Sequence, residues 1–295
     1  MKTHSPAVFN DAKLLGNAES GSEEWHALRA NSIGGSEVGT ILGLNRWESP
    51  YYLWATKTGQ IPQKELNSFA VTLGNVLEPV ILDELLPMQH PDWDIYRTGT
   101  YQHGSFDYMH ANPDALAKIN GEWVIVEVKT SRNYWEEVPP NYIAQVMHYM
   151  NIMGVRKAVI LGLVAMDWVE HWIDFDEFEA KVIEQRVTEF WEMVKTGTAP
   201  DFDGAESTYE AIRSMHPEID GSEVEIDGIH NLANAQAAFD EAEAELRRQK
   251  SEVMKMMGNA QHAYFEFEGK KYRVASRQAR NGGRPFLVIN KKGNK

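Results

Sequence analysis

Asn112-Pro113-Asp114, followed after twelve intervening residues by the end of Glu122-Trp123-Val124-Ile125-Val126-Glu127-Val128-Lys129, is the stretch that decides the fold. The second segment is rich in β-branched residues and lies between Asn120-Gly121 and Thr130-Ser131, so it reads as a strand of about eight residues. Strand side chains alternate faces, which puts Trp123, Ile125, Glu127 and Lys129 on one face and Val124, Val126 and Val128 on the other. Two charges therefore end a strand that is otherwise apolar on both faces, the pattern of a buried strand whose tip reaches a cleft. Taking an acid and an amine out of water is expensive unless they pair or bind an ion.

A hard cation such as Mg²⁺ prefers oxygen ligands and keeps several waters, so one or two carboxylates plus substrate phosphate oxygens suffice to hold it. Asp114 and Glu127 meet that need, and the Val128 carbonyl offers a further ligand. Lys129, on the face of Glu127, is placed to orient an attacking water or to offset charge developing on a phosphate. A plainer reading also fits these residues alone: Pro-Asp is a common turn dipeptide, and Glu-x-Lys at a strand end is often a solvated ion pair.

The chain of 295 residues, 43% hydrophobic and 24% charged, has the make-up of a globular protein with one large domain or one domain plus an appendage. The absence of cysteine excludes disulfides, thiolate metal sites, iron–sulfur clusters and a cysteine nucleophile. His26, His103, His110 and His148 have no zinc-ligand spacing. No apolar run is long enough to span a bilayer, so no membrane partner and a cytoplasmic location are expected. The net charge of −14 runs against phosphate affinity, but it is unevenly spread. Tyr264 to Lys295 carries nine Lys and Arg against two Glu, a local +7 that leaves −21 on residues 1–263.

Residues 1–22 read as irregular and Glu23–Arg29 as a short helix. Ser36 is placed to cap a helix running to about Leu42, where Gly43 stops it. Ser49-Pro50 opens another helix that Gly59 closes. A helix over about Ala70–Leu86 carries Glu78, and short strands are expected near 93–102, 106–111 and 114–118. Pro139-Pro140 starts a helix over Asn141–Met153 with Tyr142, Gln145 and Tyr149 on one face. Strands Lys157–Val164 and Trp168–Phe175 and a helix Asp176–Lys195 complete an α/β pattern with a mixed sheet. Trp25, Trp47 and Trp54 read as core residues before base-stacking ones.

The divisions that follow are a core over 1–200, an acidic linker with a short helix over 201–228, and an extension over 229–295 with a long helix and a small basic β hairpin. In the long helix Leu232, Phe239, Leu246 and Val253 recur every seven residues, a narrow seam that suits packing on its own domain or a coiled coil between chains.

Glu24-Trp25-His26-Ala27-Leu28-Arg29 with Ile33-Gly34-Gly35-Ser36-Glu37-Val38, then Gly74-Asn75-Val76-Leu77-Glu78-Pro79, Asn112-Pro113-Asp114, Glu127-Val128-Lys129 and Tyr142-Ile143-Ala144-Gln145-Val146, together resemble the YqaJ-type viral recombinase family. That family is the phage lambda exonuclease-like group of the PD-(D/E)xK nucleases. The match covers about residues 20–195, in the family's order and approximate spacing. Five motifs in order are far more specific than one.

The resemblance implies a PD-(D/E)xK restriction-endonuclease-like core with a central mixed β-sheet flanked by helices. It also implies a Mg²⁺-dependent exonuclease that digests one strand of linear double-stranded DNA from 5′ to 3′. The remaining 3′ single strand would pass to a single-strand annealing protein in phage-type recombination, in the cytoplasm of a bacterial host. Two Mg²⁺ ions, with Mn²⁺ as a substitute, and a homo-oligomer, with a trimeric ring as one form, belong to the same expectation. Carried over residue by residue, Asp114, Glu127, the Val128 carbonyl and Glu78 would hold the metals, and Lys129 would position the nucleophilic water. Gln145 and Tyr142 would lie at the edge of the site, and Arg29, Gly35 and Ser36 would receive the 5′ phosphate. Elementary chemistry agrees in kind, since Gly34-Gly35 lets backbone N–H groups approach an anion and arginine binds phosphate bidentately. A plain helix cap beside a surface arginine accounts for the same residues. Two other functions stay open: an endonuclease or junction resolvase on the same fold, and a non-catalytic DNA-binding recombination protein.

Overall fold

A computed structural model describes residues 8–16, 27, 31–63, 68–280 and 282–294. The helix expected at Glu23–Arg29, with Trp25 and Arg29, lies outside the described residues apart from Ala27. Two compact units divide the chain, Met1–Ile219 and Asp220–Lys295.

The first unit begins with β1 (Val8–Phe9), β2 (Ala12–Gly16), β3 (Ile33–Gly34), α1 (Gly35–Ile41), α2 (Pro50–Lys57) and α3 (Phe69–Val80). A π-helical turn (Ile81–Leu85) leads into α4 (Leu86–Gln89), then β4 (Asp94–Arg97), β5 (Thr100–Gln102), β6 (Met109–Ala111), β7 (Ala115–Ile119) and β8 (Glu122–Ser131). It closes with α5 (Pro140–Met153), β9 (Lys157–Val164), β10 (Asp167–Asp174), α6 (Glu177–Thr196) and α7 (Glu206–Met215).

One five-stranded sheet has the order β10-β9-β8-β7-β4 and is parallel only between β8 and β9, where α5 makes the crossover that a parallel pair requires. A second, ordered β1-β2-β5-β6-β3, is parallel only between β3 and β6. This is the mixed α/β architecture expected from the order of the elements. The alternation of β8 is realised. Ile125 packs with Val146, Met147 and Met150 of α5, whereas Val124, Val126 and Val128 pack with Ile81, Leu82 and Leu86 on the opposite face. Helices thus cover both faces of the sheet, which is why this strand is apolar on both sides.

Several local expectations change. The segment read as irregular contains a β1–β2 hairpin that turns at Asn10, whose φ is 51°, and β2 extends onto β5. The helix expected to stop near Leu86 continues to Gln89 by way of the π turn. There the Leu86 N–H reaches back five residues to the Ile81 carbonyl, immediately before Pro87, which has no N–H to donate. Gly34, not Ser36, is the N-cap of α1; Glu37 Oε2 accepts from the Gly34 N–H at 2.8 Å, and Ser36 lies exposed in the first turn. Trp54 is buried as expected, but Trp47 is 76% exposed beside Arg46, whose guanidinium carbon lies 4.4 Å from its ring centre.

Helix α7, within the stretch read as linker, packs on α2. Thr208 Oγ1 donates to Ser49 Oγ at 2.7 Å, and the Ser49 N–H donates to Ser207 Oγ at 2.9 Å. The second unit carries α8 (His230–Met257) and an antiparallel sheet of β11 (His262–Phe267), β12 (Lys270–Gln278) and β13 (Phe286–Asn294). On α8 the seam residues Leu232, Phe239 and Leu246 are exposed. Among the described residues no helix is long and apolar enough to cross a membrane.

Candidate active site

Asn112-Pro113-Asp114 carries the chain from β6, in one sheet, to β7, in the other. Asn112 ties this crossing back by donating to Thr100 Oγ1. The antiparallel register of β7 and β8 pairs Ala115 with Val126, so Asp114 arrives beside the Glu127 end of β8. Its Oδ2 accepts the Val128 N–H at 2.7 Å. Two residues fourteen positions apart in sequence thus meet because β7 and β8 are adjacent, antiparallel and joined by the tight Asn120-Gly121 turn.

Glu127 is only 2% exposed, and its Oε1 accepts from two donors, Lys129 Nζ at 2.6 Å and Gln145 Nε2 at 2.6 Å. Gln145 comes from α5 and also donates to the Tyr149 hydroxyl at 3.0 Å, one helical turn further on. The Lys129 ammonium lies 4.9 Å from the ring centre of Tyr142, which packs in turn on Trp135. The second Glu127 oxygen, Oε2, is buried without a hydrogen-bond partner among the described residues. An unsatisfied carboxylate oxygen is costly in a dry site, and a cation is the natural complement.

The electrostatics point the same way. Burial and then the Asp114 charge push the Glu127 carboxyl up to about 8. Burial and then Asp114 likewise raise half-buried Glu78, on α3, to about 7. Asp114 is raised by burial, against the opposing pull of Lys129 and the Val128 N–H. Burial works to discharge the Lys129 ammonium, but the Glu127 and Asp114 carboxylates outweigh it and hold the group above the usual lysine range. Among the described residues the Lys129 ammonium, with Arg97 acting on Glu78 alone, faces three acids that repel one another, so the site attracts a further positive charge.

The donors are hard oxygens, as Mg²⁺ or Mn²⁺ prefers. Among the described residues no three His, Cys, Asp or Glu side chains converge tightly enough to cage an ion unaided. A site of this kind suits a cation that takes one or two carboxylates and fills its other positions with water and substrate oxygens.

Of the residues expected at the 5′ phosphate, Ser36 is exposed on the first turn of α1 and Gly35 is buried beside it. Gly35 has a packing reason to be glycine: a Cβ there would lie 2.3 Å from Cε1 of Tyr149. Arg29 lies outside the described residues. Sequence reasoning did not single out the Glu37–Lys57 pair, 2.9 Å apart, where Lys57 Nζ also donates to the Ser32 carbonyl at 2.6 Å. Glu37 stands within a quoted motif, whereas nothing near Lys57 marks it; only the packing of α2 brings it there.

A family model described as the YqaJ-like viral recombinase domain matches residues 24–156, which include Glu78, Asp114, Glu127, Lys129 and Gln145. The Bacillus subtilis (strain 168) protein YqaJ is 34% identical over 221 residues, which cover 71% of this chain and 68% of that protein. Among solved structures, an alkaline exonuclease from Laribacter hongkongensis superposes with a TM-score of 0.51 at 21% identity, covering 60% of this chain and 94% of that one. Its complex with dAMP gives a TM-score of 0.50 at 19% identity, with the same coverage. These structures share the PD-(D/E)xK-like fold. With the relative matched along most of both sequences and the family model spanning the grouped acids, the chain belongs to the YqaJ-like viral recombinase family.

Proposed function

We propose that this protein is a metal-dependent deoxyribonuclease that digests one strand of linear double-stranded DNA from 5′ to 3′ and leaves a 3′ single strand. The observation that carries the reading is the grouping of Asp114, Glu127 and Lys129, with Glu127 Oε2 left without a partner among the described residues. Asp114, Glu127, Glu78 and the Val128 carbonyl would hold Mg²⁺, as two ions, with Mn²⁺ as a substitute. When bound, the metal supplies a Lewis acid that polarises a phosphoryl oxygen.

The chain's own groups do the rest. Lys129 keeps its proton at Nζ because two carboxylates face it, so its ammonium positions the attacking water and offsets charge on the phosphate. Gln145 fixes Glu127 by donating to Oε1, which leaves Oε2 for the cation. The Tyr142 ring borders the ammonium and limits where it swings. Arg29, Gly35 and Ser36 would receive the 5′ phosphate, which favours cutting from an end over cutting within the duplex. The family likeness supports a homo-oligomeric ring, a trimer, as the working form, and a single-strand annealing protein as the recipient of the product.

The test uses linear duplex with a 5′ phosphate at one end and a 5′ hydroxyl at the other, beside a closed circle, in Mg²⁺. Nucleotides should be released from the phosphorylated 5′ end while the circle stays intact, and chelation should stop the release. Equal rates on circle and linear duplex would contradict end-directed cutting.

A further inference from the structure

The hairpin of β11 and β12 turns at Glu268-Gly269, both with positive φ (47° and 73°), the primed geometry that matches the twist of two paired strands. Directly opposed residues share a face, so Phe265 stands with Tyr272, and Phe267 with Lys270. Phe265 and Phe267 are 56% and 55% exposed. Their rings lie 6.3 Å apart and within 15° of parallel, on neighbouring positions of one strand face. Around them the chain from Tyr264 to Lys295 has a local charge of +7, against −21 on the rest.

Flat aromatic rings open to solvent, side by side and set in a basic segment, match one ligand chemistry closely. Every unpaired base offers a π-face for stacking, and its phosphate offers a negative charge to the lysines and arginines alongside. A duplex meets only the charge, because its base faces are already stacked on one another. A protein partner with an apolar patch needs the rings but not the excess of positive charge.

We propose that this hairpin face binds single-stranded DNA, with bases stacking on Phe265 and Phe267 beside Tyr272, and with Lys270 among the groups that take the phosphates. The inference rests on the nuclease reading to the extent that strand digestion supplies the single strand; the chemistry of the surface does not depend on it.

Binding of the full chain to a fluorescent oligothymidylate of about 15 nucleotides is measured by anisotropy in a chelator, so that no cleavage occurs. Phe265→Ala with Phe267→Ala should weaken binding by about tenfold or more, and Phe265→Tyr with Phe267→Tyr, which keeps the π-faces, should stay within about threefold of the parent. Lys270→Ala should lower the slope of log affinity against log salt by about 0.7. Blunt duplex affinity should change less than about twofold in the alanine pair. Circular dichroism of the tyrosine and alanine pairs controls for folding. Unchanged oligothymidylate binding in a folded alanine pair overturns the proposal, as does an equal loss on duplex, which assigns the rings to packing, and so does a change in oligomeric state alone, which assigns the face to a second copy. A chain that binds through these rings but cuts nothing in Mg²⁺ defeats the nuclease reading alone; one that cuts normally with unaltered strand binding defeats this inference alone.

Discussion

Gly35 and Tyr149 touch so closely that a single methyl group on Gly35 would stand 2.3 Å from the tyrosine ring. Tyr149 receives the Gln145 amide, and Gln145 holds Glu127, so the contact links the start of α1 to the buried acid through two hydrogen bonds. Gly35→Ala is therefore expected to displace the Tyr149 ring, destabilise the fold by about 1–3 kcal/mol and lower cleavage together with stability. Denaturant unfolding and cleavage rates on one preparation check it; a variant as stable and active as the parent would show that the ring yields without consequence.

Gln145→Leu removes one of two donors from a buried carboxylate and leaves the shape nearly filled. Nuclease activity should fall about 10- to 100-fold, the range for groups that orient a metal ligand without binding the metal themselves. A saturation curve in Mg²⁺ separates the causes, because loss of orientation shifts the metal requirement upward, whereas a folding defect lowers the active fraction at every concentration.

Metal addition should stabilise the protein. A cation that binds only the folded site, at ten times its dissociation constant, contributes about 1.4 kcal/mol and raises Tm by about 3–5 °C. Mg²⁺ should do so for the parent and not for Asp114→Asn with Glu127→Gln. Thermal unfolding with and without chelator is the measurement; an equal rise in both would place the ion elsewhere.

His148, buried on α5, has its pKa lowered from 6.5 to about 4, chiefly by burial. The unfolded chain takes up its proton near the ordinary value while the folded chain resists until about pH 4, so stability falls as pH drops across that window. The loss reaches about 3 kcal/mol by the lower end. His148→Gln should flatten that part of the pH–stability curve relative to the parent, and parallel curves would contradict the assignment.

Legibility in the sequence followed the range of the forces involved. The two faces of β8 were readable because a strand has period two, and Ile125 and Glu127 do lie on the α5 side with the valines opposite. The Gln145–Tyr149 contact follows from helical spacing. The β1–β2 hairpin leaves little trace in the sequence because two opposed pairs give too little alternation to register, although Asn10-Asp11 marks its turn. Residue type points to Ser36 as the cap, but the backbone of Gly34 and the Glu37 carboxylate fill that role. The fit of Gly35 against Tyr149, and Lys57 beside Glu37, come from helix packing between residues distant in sequence, which no local pattern encodes.

The nuclease proposal stands on Asp114, Glu127 and Lys129 as a metal-dependent centre for phosphodiester hydrolysis. The initial rate of nucleotide release from linear duplex DNA in Mg²⁺ tests this grouping most directly, comparing the parent with Glu127→Gln, a near-isosteric change that replaces the carboxylate with a neutral amide and so removes an oxygen a cation could bind. The rate should fall at least about 100-fold, with the circular dichroism spectrum unchanged. A rate within about twofold of the parent's would contradict it.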